Sequence, residues 1–161
     1  MTSDSVLAVK IVRETKVPIQ FHPKKGQMLL CDFSQGFKDP EMTKDKRPVI
    51  VLSNSVNGRA NLVTVVACST VEPNIIQPYH MVLPARALPM LGRFQGNTTW
   101  VKGDMIYTVG FHRLNLIQLS SKHPTTGKRQ HHLNCFGRET MNKIHECVLH
   151  GMNLGHLAAH L

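Results

Sequence analysis

The sequence predicts a mainly β protein, a small antiparallel barrel with an amphipathic helix near the C-terminus. Short apolar runs, many of them β-branched and separated by turn residues, recur over the first two thirds of the chain, a pattern typical of antiparallel barrels. From about residue 138 the apolar residues recur at helical spacing instead. With 161 residues, 42% of them hydrophobic, the chain has the length and apolar content of one domain with its own core.

We divide this single domain, 1–161, into three parts. Residues 1–25 contain two prolines and a basic pair and predict an N-terminal arm. Residues 26–119 hold the apolar runs of the barrel. Residues 120–161 form a C-terminal extension that contains the helix, at about 138–152.

The predicted strands are the apolar runs of the barrel region. They lie at 27–33, 47–53, 61–68, 79–83, 98–102 and 105–109. The run at 47–53 is too continuous in apolar residues to have a wet face, so we place it in the middle of the sheet. Asn57-Gly58 has the chemistry of a hairpin turn. The charged, turn-rich segment 34–46 predicts a long loop, and loops of that length in compact domains are usually functional or mobile.

The predicted helix has one apolar stripe. Its members are Met141, Ile144, Val148, Leu149 and Met152. We expect Met141, Ile144, Val148 and Met152 of this stripe to pack on the barrel and to contribute stability rather than chemistry.

Charge and composition narrow the classes of function. Lys and Arg number 19 against 10 for Asp and Glu, which gives a formal charge of +9 and indicates a polyanionic partner. No apolar run approaches the roughly 18 residues that a membrane span needs. The N-terminus lacks the form of a secretion signal, so we expect a cytoplasmic protein with no membrane partner. The cysteines contain no C-x-x-C pair and predict buried thiols: Cys31, Cys68, Cys135 and Cys147.

Four segments of the barrel region form a recognisable series. The first two are Gly26-Gln-Met-Leu-Leu-Cys-Asp-Phe33 and Pro40-Glu-Met-Thr-Lys-Asp-Lys-Arg-Pro-Val-Ile-Val-Leu-Ser53. The third, Val63-Thr-Val-Val-Ala-Cys-Ser-Thr70, ends in a hydroxyl pair. The fourth is Trp100-Val-Lys-Gly-Asp-Met-Ile-Tyr-Thr-Val109, followed by Arg113-Leu114. Together they resemble the PemK/MazF family of toxin endoribonucleases, in a longer branch with Pro-Glu-Met before Arg-Pro and Asp-Met-Ile in the later strand.

The resemblance implies a fold, an activity and partners. The fold is an SH3-like barrel that forms a homodimer. The activity is cleavage of single-stranded RNA without a metal or another cofactor, by the toxin component of a type II toxin–antitoxin system. The partners are the RNA and an acidic cognate antitoxin that neutralises the toxin.

RNA cleavage without a metal needs a base for the 2′-OH, a cation for the phosphorane and an acid for the leaving 5′-oxygen. The residues aligned with the family can supply these roles. Arg47 is a planar cation suited to phosphate, and Ser69 can donate from its hydroxyl. Asp104 is the candidate base. Lys102, two residues away and on the same face of a regular strand, is the candidate acid or electrostatic partner.

Four further residues are expected to contact or organise the RNA. Thr70 is the second member of the hydroxyl pair, and Tyr107 offers a ring on which a base can stack. Glu41 is expected to order the loop 34–46. His80, at the start of a strand, is expected to face the groove.

Alternatives stay open at this point. Relatives commonly carry Gln and a basic residue where this chain has Met105 and Tyr107, so a nucleic-acid-binding barrel without catalysis is one alternative. A protein poison of gyrase type on the same fold is the other, although the C-terminal tail contains no tryptophan. His156 and His160 have the spacing of two ligands on a helix face, but no third ligand is evident and we expect no metal.

Overall fold

The computed structural model describes residues 19–55, 58–92, 94 and 96–161. Its strands are β1 (Met28–Asp32), β2 (Lys46–Val51), β3 (Leu62–Ser69), β4 (His80–Val82), β5 (Trp100–Gly110), β6 (Leu114–Asn115), β7 (Gln118–Lys122) and β8 (Arg129–His131). One α-helix, α1 (Arg138–Gly151), follows them. Three short 3-10 turns lie at Ala85–Ala87, Phe111–Arg113 and Gly155–His160. Most of the predicted arm and Asn57 of the predicted turn lie outside the described residues.

Six strands form one antiparallel sheet in the order β4-β5-β3-β2-β1-β6, and β7 pairs with β8 in a separate hairpin. The predicted class, mainly antiparallel β with a C-terminal helix, is confirmed. As predicted from its continuous apolar run, β2 is an inner strand, with β1 on one side and β3 on the other. Among the described residues the edges of the sheet are β4 and β6.

Both faces of the sheet are covered, because the inner strands are apolar on both sides. One face, which we call the helix face, carries Met28, Ile50 and Val66 and packs against α1. The opposite face, which we call the site face, carries Leu29, Val49 and Val65. On that side the apolar cluster is completed by residues that follow the strands and by the loop 34–46, namely Phe33, Phe37 and Met42.

Helix α1 ends close to where its periodicity predicted. Met141, Ile144, Cys147 and Val148 are buried. The expectation that Met152 packs on the barrel is wrong: it lies one residue beyond the helix and is 48% exposed. Within the part of the chain that the structure describes, no helix is both long and apolar enough to cross a membrane.

The two strands predicted at 98–102 and 105–109 are a single strand, β5. The sequence suggested a break at Gly103, but the register with β3 shifts there instead: Ala67 pairs with Lys102 and Val66 pairs with Ile106. The residues between form a β-bulge, which kinks a strand without ending it.

Helix α1 lies against this bulge at two glycines. A Cβ atom on Gly103 would overlap the carbonyl oxygen of Cys147, and one on Gly151 would overlap the carbonyl oxygen of Gly103. Only glycine allows the two backbones to approach so closely. The helix therefore fixes the part of β5 that leads into Asp104.

The C-terminal extension contains two strands that the sequence did not indicate, because β7 and β8 are polar and show no apolar alternation. One of the two cysteines of this extension also departs from expectation. Cys31, Cys68 and Cys147 are buried, whereas Cys135 is exposed. Burial raises the pKa of the Cys68 thiol to about 12, so this thiol stays protonated near neutral pH.

Candidate active site

Strand pairing brings the predicted site residues onto one face of the sheet. Val49 of β2 pairs with Ala67 of β3, Ala67 pairs with Lys102 of β5, and Lys102 pairs with His80 of β4. Arg47 lies two residues before Val49 and therefore shares its face. Arg47, Lys102 and His80 thus lie on the site face of three different strands, although they are far apart in sequence.

The other predicted residues border the same face. Ser69 lies two residues after Ala67, and Tyr107 pairs with Val65, so both belong to the site face. Asp104 is exposed within the bulge. Its negative charge opposes the lowering of the pKa of His80 and of Lys102, and it adds to the raised pKa of Tyr107.

Arg47 is a buried cation with an unused donor. Its side chain is only 8% exposed, and its Nη2 donates to the Thr43 hydroxyl at 3.2 Å. Its Nε is buried and has no hydrogen-bond partner among the described residues. A buried, unpaired N–H of a charged group is costly to a folded protein. Such a group is explained when a bound anion supplies the missing acceptor.

The hydroxyl pair divides into a buried and an exposed member. The Oγ of Ser69 is almost buried and accepts a hydrogen bond from the Val71 backbone N–H at 3.1 Å. Because a hydroxyl both accepts and donates, Ser69 keeps its O–H proton for a ligand oxygen. Thr70 is exposed and follows the end of β3.

Lys102 and His80 face each other across β4 and β5, and both are less basic than usual. Partial burial lowers the pKa of Lys102, and the Arg47 charge lowers it further while Asp104 opposes the change. Partial burial and the Lys102 charge lower the pKa of His80, again against Asp104. The Nδ1 of His80 accepts the Gln77 backbone N–H at 3.1 Å, so in the neutral ring Nε2 carries the proton.

Tyr107 holds the loop 34–46 in place. Its hydroxyl donates to the backbone carbonyl of Glu41 at 2.7 Å, and its ring packs at 5.1 Å from Phe33 and 5.4 Å from Phe37. Burial raises the pKa of Tyr107, with Asp104 and Glu41 adding to the effect and Arg47 opposing it. Glu41 therefore meets Tyr107 through its backbone, while its own side chain is exposed.

Two contributors to the site were missed by sequence reasoning. Thr43 holds the guanidinium of Arg47, and Gly103 lets α1 fix the bulge. Thr43 lies four residues before Arg47 in the sequence, but the path of the loop that brings the two side chains together could not be predicted from that spacing. No group of three or more His, Cys, Asp and Glu side chains suited to a metal ion occurs among the described residues.

The fold and this site define a small antiparallel β protein with a basic face built around a buried arginine. Residues 24–150 match the family of PemK-like, MazF-like toxins of type II toxin–antitoxin systems, and the chain belongs to that family. The resemblance inferred from the sequence and the predicted toxin class are confirmed.

Individual proteins are similar to this chain in sequence or in fold. The chain is 28% identical over 146 residues to an uncharacterized protein of Haemophilus influenzae, covering 86% of this chain and 95% of the relative. Its fold is similar to that of a mycobacterial endoribonuclease solved in complex with its cognate antitoxin, with a TM-score of 0.52, 23% identity, and coverage of 82% of this chain and 96% of the other. It is also similar to MazF from Deinococcus radiodurans, with a TM-score of 0.56, 15% identity, and coverage of 83% and 98%. The likeness to the two solved structures shows the shared fold.

Proposed function

We propose that this toxin is a metal-independent endoribonuclease that cleaves single-stranded RNA, including mRNA. The observation that carries the proposal is the unpartnered Nε of the buried Arg47 on the same face as Ser69 and Lys102. That guanidinium has a free donor for a phosphate oxygen, and its planar fork suits bidentate contact with phosphate. Membership of the toxin family and the charge of +9 agree with an RNA substrate.

The reaction begins at the ribose. Asp104 takes the proton of the 2′-OH, and the 2′-oxygen attacks the adjacent phosphorus. The bond from phosphorus to the 5′-oxygen breaks, and Lys102 gives that oxygen a proton. The products are a 2′,3′-cyclic phosphate and a 5′-hydroxyl, and no water is consumed. Because the nucleophile is the 2′-OH, DNA is not a substrate.

The lowered pKa of Lys102 suits the role of acid. An ammonium group whose pKa is depressed by burial and by Arg47 gives up its proton more readily than an exposed lysine. Arg47 and the Ser69 hydroxyl stabilise the phosphorane, on which negative charge is greater than on the starting phosphodiester. Asp104, beside Lys102, receives the 2′-OH proton as the lysine releases its own.

The remaining predicted residues bind rather than react. The Nε2–H of neutral His80 and the hydroxyl of exposed Thr70 donate to phosphate or ribose oxygens. We assign Tyr107 and Glu41 to positioning, because the bond between them holds the loop 34–46 that carries Thr43. In this account the base-stacking role first considered for Tyr107 is replaced by a tether.

We propose that the protein acts in the cytoplasm as a homodimer neutralised by an acidic antitoxin. Two-fold pairs are the commonest assembly of small proteins, and Met90, 66% exposed, offers apolar surface for such a contact. An acidic antitoxin complements the +9 charge and would cover the site face. The mycobacterial endoribonuclease, whose fold is similar, was solved with its cognate antitoxin.

Single-turnover cleavage of a labelled single-stranded RNA by Arg47 variants tests the proposal. Loss of one group that stabilises transition-state charge lowers the rate by roughly 10²–10³, and we expect this for Arg47→Ala. Arg47→Lys should recover little, because a point charge does not reproduce the planar fork. Arg47→Met keeps the buried volume and removes an unpaired buried donor. We expect it to be inactive yet at least as stable as the native chain.

Two controls make the result specific. RNA affinity of each variant is measured separately, because slow cleavage caused only by lost binding would make Arg47 a docking residue and overturn its role in the chemical step. Cleavage is also measured in EDTA. Activity that disappears in EDTA and returns with a divalent ion would contradict metal independence.

A further inference from the structure

A second positive surface lies outside the site face. No Asp or Glu occurs between Asp104 and Glu139, whereas that stretch contains five Lys or Arg and four His. Its most exposed part is the β7–β8 hairpin and its turn, which we call the basic hairpin (residues 118–131). Lys122, Lys128 and Arg129 are all exposed there. The mechanism proposed above uses none of these side chains.

The pairing within the basic hairpin is unfavourable for the protein alone. Lys122 pairs directly with Arg129 across the two strands. Like charges opposite each other destabilise a strand pair, and a two-stranded hairpin is marginal in water to begin with. No described acidic side chain forms an ion pair with Lys122, Lys128 or Arg129. A polyanion lying across the hairpin would remove this repulsion.

The hairpin also borders a groove that is furnished with hydrogen-bond donors. Its lining includes His123, Lys128, Arg129 and Asn134, and only two of its lining residues, Leu119 and Leu133, are apolar. The Nδ1 of His123 accepts the backbone N–H groups of Thr125 and Thr126 at 3.2 and 3.3 Å. In the neutral ring the proton is therefore on Nε2, where it can be donated to a ligand.

We propose that the basic hairpin and its groove bind the phosphate backbone of single-stranded RNA at a second site, away from the scissile phosphate. This rests on the proposed function, because an RNA substrate continues beyond its cleavage point. The lysine and arginine side chains and the hydrogen-bond donors of the hairpin can bind phosphates, and the imidazole rings can stack on bases. Eight of the ten residues that line the groove have polar or charged side chains, and these can contact phosphate and ribose oxygens along a strand.

The salt dependence of RNA binding tests the proposal. The probe is a long, labelled 2′-O-methyl oligoribonucleotide, which lacks the attacking 2′-OH and so reports binding whether or not the protein cleaves RNA. The test variant is Lys128→Gln/Arg129→Gln in the full chain. The control, Arg59→Gln/Lys143→Gln, removes the same charge from exposed positions outside the hairpin.

Each phosphate contact on a single strand contributes about 0.7 to the slope of log K against log salt, so losing two should lower the slope by about 1.4. The control should change it by much less. The test variant removes the repulsion between Lys122 and Arg129, so its melting temperature should equal or exceed that of the native chain. A lower slope at an unchanged melting temperature then reports lost RNA contacts and not misfolding.

Three outcomes would overturn the proposal. One is a test variant with the native slope, and another is an equal change in test and control. The third is an unchanged slope together with weaker binding of the antitoxin, which would assign the hairpin to the protein partner. If the native chain does not cleave RNA but the test variant shows the expected slope, the proposed catalytic function fails and the second binding site stands.

Discussion

The helix face of the sheet is filled by apolar side chains, whereas the site face gives up part of its packing to charged and polar groups. Beneath α1, residues such as Ile144 and Val66 are completely buried among other apolar groups. Across the sheet, the Nε of the buried Arg47 has no hydrogen-bond partner within the described part of the chain. The comparison indicates where this protein gains stability and where it gives up stability at the proposed site.

The largest expected effect is on the helix face. Ile144→Asp should lower the free energy of unfolding by more than the roughly 2–5 kcal/mol of an isoleucine-to-alanine change, because it also buries a carboxyl group. Met152→Asp is the matched control, since that side chain is exposed, and it should change stability by no more than about 0.5 kcal/mol. Urea unfolding measures both. Equal effects would show that α1 does not pack as described.

The next largest loss of stability is expected where helix α1 meets strand β5, at the contact between Gly151 and Gly103. Gly151→Ala forces a methyl group onto the Gly103 carbonyl, and overpacking of this kind costs roughly 1–3 kcal/mol. Because the same backbone leads into Asp104, cleavage should slow as well. Gly137→Ala is the control, because a Cβ there would meet nothing within 4 Å. Native cleavage and stability in Gly151→Ala would disprove the link between helix and site.

A smaller effect is expected from the tether on the site face. Tyr107→Phe keeps the ring and removes its hydrogen bond to Glu41, which should cost about 0.5–1.5 kcal/mol. It should also expose the loop 34–46 to trypsin at Lys38 and Lys44. Tyr79→Phe is the control, because it removes the hydroxyl of the other tyrosine, whose ring packs against His80. If both variants resist trypsin like the native chain, Tyr107 does not hold the loop.

The smallest expected effect is on how the stability of the protein depends on pH. Burial lowers the pKa of His132 and His145 and contributes most to the lowered pKa of His80. The unfolded chain therefore binds more protons than the folded chain below pH 6.5, the usual pKa of histidine, so stability is present above that pH and is lost as pH falls. His132→Gln should flatten the dependence of the unfolding midpoint on pH. His156→Gln, at an exposed position, is the control, and an equal flattening would contradict the assignment.

Much of the fold could be predicted from local patterns of apolar residues in the sequence. The continuous apolar run of β2 predicted an inner strand, and the period of Ile144 and Val148 predicted α1. The bulge at Gly103 was interpreted as a break because glycine marks both features. The hairpin of β7 and β8 was not predicted because its strands are mostly polar and none of their residues is fully buried.

The sequence predicted those site residues that lie on strands. The aligned motif supplied Arg47. The expectation that Lys102 and Asp104 share a face by regular alternation was wrong, because the bulge of β5 begins between them. The contacts of the loop 34–46 were not predictable, because the bonds from Arg47 to Thr43 and from Tyr107 to Glu41 depend on how a turn-rich segment folds back on the sheet. The proposed roles of these residues rest on the experiments above.

The contact between Gly103 and Gly151 also limits how the chain can diverge. A larger residue at either position would push α1 away from the sheet, and the strand backbone beside Lys102 would follow. Substitutions can accumulate on the exposed side of the helix without this consequence. The C-terminal helix and strand β5 are therefore expected to change together over evolutionary time.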